Sequence, residues 1–100
     1  MPIQVKISKS KNPKKKYMAV FSEPDGRKIK TIHFGSAGMS DYTKNKDPER
    51  KKAYIIRHKK RENWSDYKSA GALSRWVLWN LPSLEASKKA YARKFGLKLM

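Results

Sequence analysis

The pentapeptide EPDGR at 23–27 constrains this chain more than any other stretch. Pro presets φ for a tight turn and Gly accepts φ > 0 two residues later, so the chain reverses here. The flanking runs, KYMAVFS (16–22) and KIKTIHF (28–34), are rich in β-branched and aromatic residues and become antiparallel neighbours. Upstream, IQVKIS (3–8) sets Ile3, Val5 and Ile7 on one face by strict alternation. It is joined to the second run by SKNPKKK (10–16), a basic turn built on Asn-Pro. In the third run Ile29 is out of phase with Ile32 and Phe34. The expectation is a three-stranded antiparallel meander within residues 1–36.

The rest of the chain reads as helical. Asp47 is a good N-cap and Pro48 a good first helical residue, so a helix starts there and runs to about Arg61. At about 100° per residue Tyr54, Ile55 and His58 share one side, and Arg50, Arg57 and Arg61 form a narrow stripe on another. A second helix covers 69–80. Ser69 caps it, and Leu73, Trp76 and Val77 make its inner face. Leu78 and Trp79 point elsewhere, so the helix is apolar nearly all round and either sits centrally or touches a partner. The third helix lies within 81–96. Ser83 caps it, Glu85 suits the positive end of its dipole, and Gly96 suits its C′ position. Leu84, Tyr91 and Phe95 line one face; Lys89 and Arg93 line the other. Residues 63–68 connect the first two helices. The fold class is therefore α+β: about three antiparallel strands packed against about three helices (47–96), in one domain spanning 1–100.

Charge bounds the function. Lys and Arg number 25 against eight acidic residues, a net of +17 on 100 residues. Such an excess makes the compact state repel itself and favours a polyanionic partner: nucleic acid first, acidic protein second, anionic lipid third. No apolar run approaches the roughly 20 residues of a membrane span, and MPIQVKISK lacks the apolar core of a secretory signal. The absence of Cys excludes disulfides and cysteine–zinc sites and suits a reducing compartment.

Two basic clusters are the candidate binding elements. Residues 44–61 hold nine Lys/Arg against two acids. Arg50, Arg57 and Arg61 are placed to meet successive phosphates, with Lys52, Lys59 and Lys60 broadening the field. Arginine suits this task because its planar fork binds phosphate bidentately. Lys11, Lys14, Lys15 and Lys16 crowd the first turn. The plain alternative is a solvated helix face and a solubilising turn. No helix-turn-helix, zinc-finger or RNP pattern supports sequence-specific readout. Tyr17, Phe21, Phe34 and Tyr42 are candidates for base stacking, weighed against core packing, which all but Tyr42 fit better. Trp64, Trp76 and Trp79 are mostly core in the same reading. Trp79 and Leu78 are the candidate partner interface.

An enzymatic reading rests on His33, His58 and Asn63, with Asp41 or Asp47 as a metal ligand, after the pattern of ββα-metal nucleases. It fits badly, because His58 and Asn63 lie only five residues apart and face different ways. Glu49 and Glu62 sit at opposite ends of the first helix and form no catalytic pair. The GSAG loop (35–38) lacks the Lys-Ser/Thr of a phosphate-binding loop and reads as a strand-to-helix turn using φ > 0 at Gly35 or Gly38. The chain is expected to be non-enzymatic, with no metal and no cofactor.

The segments HFGSAGMSDYTKNKDPERKKAYIIRHKKRENW (33–64) and SAGALSRWVLWNLPSLEAS (69–87) carry a combined HFG, SDYT, KDPER, RHKKREN and SRW–LW pattern. In these the chain resembles a family of small basic proteins encoded by nucleocytoplasmic large DNA viruses of algae and amoebae. The resemblance implies a viral product, carried in the virion or acting on the viral genome in the cytoplasm or nucleus of the infected cell. It supplies no catalytic residues. Two functions are expected from this: contact with the nucleic-acid backbone, DNA rather than RNA, without strong sequence specificity; or a minor capsid or cement subunit binding acidic virion proteins.

Overall fold

The computed structural model describes residues 2–100. Three strands, β1 (Gln4–Lys9), β2 (Lys15–Ser22) and β3 (Lys28–Ser36), form the expected antiparallel meander. The register pairs Val5 with Phe21, Ile7 with Ala19 and Tyr17 with Phe34, so the apolar alternation lands on one face. A fourth strand, β4 (Lys98–Leu99), joins β1 in parallel and makes the sheet mixed, in the order β3-β2-β1-β4. Two residues are too short to show a period, so this strand leaves no sequence signal. The chain is an α+β protein.

Helix α1 (Tyr42–Asn45) is a single turn capped by Asp41. Helix α2 (Pro48–His58) starts as read, with the Asp47 carboxylate accepting from the Glu49 amide at 3.0 Å. It stops at His58 rather than Arg61, so Arg61 lies in the following turn. Helix α3 (Ala70–Leu73) is capped by Ser69 and runs directly into a π-helical turn, π1 (Ser74–Leu78), in which the Trp79 amide bonds back to the Ser74 carbonyl. Helix α4 (Leu84–Phe95) is capped by Ser83 and closed by Gly96 at φ 65°. No helix among the described residues is long and apolar enough to cross a membrane.

The core lies between the sheet and the helices: Val5, Ile7, Ala19, Phe21 and Phe34 meet Leu73, Val77, Leu78 and Tyr91. From the connector 63–68, Tyr67 joins it. Tyr67 packs edge-on against Phe21, and its carbonyl accepts from the buried Tyr91 hydroxyl at 2.6 Å. Burial holds the Tyr91 hydroxyl proton far above the ordinary tyrosine range.

Gly35 is where the sheet touches π1. Its φ is +78°, and a Cβ built there would lie 2.8 Å from Leu78 Cδ1. Gly35→Ala is expected to cost roughly 1–3 kcal/mol, because it combines a left-handed alanine with a collision against a buried leucine. A lowered midpoint in a thermal melt checks this, at about 4–8 °C per kcal/mol for a domain this size.

Candidate functional site

A cavity of about 310 Å³ opens where the ends of β2 and β3 meet the C-terminal half of α2 and the α3–π1 helix. Its walls follow from local sequence. Lys15 pairs with Ser36, and the Ala37 amide bonds to the Lys14 carbonyl, so the lysine turn is tied to the glycine loop. The loop then delivers Asp41 beneath the sheet end. There its carboxylate meets Lys16 Nζ at 2.5 Å and also accepts from the Thr43 amide and hydroxyl. The side chains are only 7 % and 1 % exposed, so this is a buried ion pair. Lys46, at φ 52°, turns the chain from α1 into α2.

Tyr54 anchors α2 as its one buried residue. Its ring lies parallel to Trp79, 4.6 Å away at 5°, and stacks on His58 at 4.3 Å, one helical turn along. Burial pushes the Tyr54 hydroxyl well above the usual tyrosine range. The nearby Glu62 carboxylate adds to this, and Arg75 and Arg57 oppose it. Glu62 holds the corner: one oxygen meets His58 Nδ1 at 3.3 Å and the other accepts from Trp64 Nε1 at 2.8 Å. Behind this wall two cations bind the C-terminal carbonyls of the helical segment. Arg75 donates to the Trp79 carbonyl at 2.9 Å while lying 4.3 Å from the Trp76 ring, and Lys51 donates to the Asn80 carbonyl at 2.6 Å. Burial lowers the pKa of both, and the Arg75 charge lowers Lys51 further.

A model of a family of unknown function, DUF5754, matches residues 5–58, more than half of the chain. The chain belongs to the DUF5754 family. No curated protein and no solved structure matches it. The matched DUF5754 segment runs from β1 to the end of α2 and contains both basic rims of the cavity, Lys15 and Arg57. The Trp79 and Glu62 walls come from outside it.

The structure brings together some of the sequence-derived candidates in this DUF5754 protein and separates others. Arg50, Lys52, Arg57, Lys59, Lys60, Arg61, Lys14 and Lys15 are exposed. Among the described residues only Lys16, Arg27 and Lys88 of the Lys/Arg set pair with a carboxylate, which leaves those eight free. Arg57 does not stand apart from the Tyr54 side: three residues on, it is about 60° from Tyr54 and lines the same cavity. Lys16 does not belong with the free cations, because Asp41 takes its charge inside the protein. Leu78 is no partner surface. The π turn rotates it into the core, where it is 2 % exposed. Trp79 is half-buried with one face against Tyr54.

The nuclease constellation is not assembled. His33 alternates with the buried Phe34 and meets the Ser10 hydroxyl at 2.7 Å, while His58 lines the cavity and Asn63 caps a turn at Ser65. Asp41 and Asp47 serve as helix caps. Phe21 and Phe34 are buried, and Tyr42 lies under the Lys51 ammonium at 5.0 Å. The aromatic wall Trp79–Tyr54–His58 leaves little signal in the sequence. The i,i+4 spacing of Tyr54 and His58 hints at it, but Trp79 arrives from another element.

Proposed function

We propose that this protein binds nucleic acid non-enzymatically through the phosphate backbone, without strong sequence specificity. The observation that carries the reading is the convergence of two basic clusters, remote in sequence, on one cavity rim: Lys15 from the first turn and Arg57 from α2, neither with a carboxylate partner among the described residues. Unpaired exposed cations keep their charge available to an external polyanion, and each phosphate neutralised releases counterions. The resemblance to small basic proteins of large DNA viruses makes viral DNA, in the virion or the infected cell, the polyanion proposed. The alternative, a cement-type subunit whose basic face meets acidic virion proteins, takes its support from the apolar helix at 69–80, of which Leu78 belongs to the protein's own core and Trp79 is half-buried.

Fluorescence anisotropy with mixed-sequence duplex and single-stranded DNA tests the proposal. Log affinity is expected to fall linearly with log salt, at about 0.9 per phosphate contacted on duplex. An Arg50→Ala/Arg57→Ala/Arg61→Ala variant is expected to show a shallower slope. A flat wild-type response, or equal binding by the variant, contradicts it.

A further inference from the structure

The geometry points to the cavity beside Tyr54 as a pocket for one unpaired nucleotide, its base inside and its phosphate on the Lys15–Arg57 rim. This rests on the nucleic-acid reading and names the form of strand that the site takes. Four observations converge. A volume of about 310 Å³ is at the lower end of small-molecule sites, which run from roughly 300 to 1,000 Å³. One wall is the ring stack Trp79–Tyr54–His58, which ends on a histidine whose side chain is 38 % exposed. Stacking on such rings is how proteins hold single-stranded bases, since every base has a π-face. The free cations stand at the rim. The Glu62 carboxylate, its side chain 27 % exposed, lines the same cavity beside the mutually neutralised Lys16–Asp41 pair, and it repels a phosphate and accepts from a neutral base.

Charge therefore orients the ligand. Phosphate is held outside by Lys15 and Arg57, and the uncharged heterocycle enters. Glu62 already accepts from Trp64 and His58, yet each of its oxygens retains acceptor capacity for an N–H of the base, amino or imide. A base paired within a duplex offers neither its π-face nor its free pairing edge, so duplex DNA can use the rim but not the pocket.

The test uses the full chain and two variants, Ser36→Trp, which fills the mouth from the exposed end of β3, and His58→Ala, which removes the exposed ring. Thermal melts establish that each is folded. The probes are a ten-residue oligo-dC strand, a duplex of equal length, and dCMP followed by NMR titration. Each folded variant is expected to bind oligo-dC roughly 5- to 150-fold more weakly, the range spanned by stacking one base. Ser36→Trp should leave duplex affinity within about twofold, and dCMP should shift cavity signals saturably in the wild type only. Equal loss for strand and duplex, or no loss for either with dCMP silent, overturns the pocket. That failure leaves a steep salt slope on duplex intact, whereas failure of the nucleic-acid reading removes the slope for every polymer.

Discussion

Replacing Asp41 with Ala is expected to destabilise the protein by about 3–5 kcal/mol, a large share of the roughly 5–15 kcal/mol that holds a domain this size together. The reason is desolvation. Lys16 Nζ sits against Asp41 with its side chain only 7 % exposed, so removing the carboxylate leaves a poorly hydrated ammonium without its counter-charge. The same carboxylate accepts from Thr43 and caps α1, which contributes about 1 kcal/mol more. The double variant Lys16→Met/Asp41→Ala removes both charges and should regain most of the loss, short of the cap. Urea melts of the three chains decide the point. A double variant as unstable as Asp41→Ala would show that the cap or the loop, and not the stranded charge, carries the effect. The result matters for function as well. The HFGSAGMSDYT segment positions Lys15 beside the cavity by gripping its neighbour Lys16.

What the sequence made legible follows a physical pattern. Elements defined by short-range chemistry were readable: the EPDGR reversal, the alternation in β1, and the caps at Asp47, Ser69 and Ser83 all stand where local rules place them. Features decided by tertiary packing were not. The π turn at Ser74–Leu78 inserts one residue that no periodicity shows, and it moves Leu78 from a supposed outer face into the core. In the sequence Lys16 is one more member of a lysine run, because its partner Asp41 is 25 residues away. The cavity has the same character. Arg57 and the Lys14–Lys15 turn are separate patches in the sequence, and only the fold puts Lys15 and Arg57 on one rim.

Neutralising that rim should have the largest effect on binding. Lys15 and Arg57 line the cavity, and Lys14 and Arg61 stand next in the chain to the lining residues Lys15 and Glu62; all four are exposed and without carboxylate partners among the described residues. If each meets a phosphate, losing all of them lowers the duplex salt slope by about 3–4, since each contact contributes about 0.9. Loss of charge alone weakens binding to any polyanion, because the whole-molecule field steers association. A charge-matched control separates place from charge. Lys28, Lys30, Lys89 and Lys98 are exposed as well, and neither they nor their chain neighbours line the cavity. The decisive measurement is duplex-DNA affinity across salt for the two quadruple alanine variants side by side. Binding through the rim predicts a slope reduced by about 3–4 for Lys14/Lys15/Arg57/Arg61 and changed by less than about 1 for the control. Equal reductions in both variants would contradict a localised site and leave only a diffuse attraction between a basic protein and any polyanion.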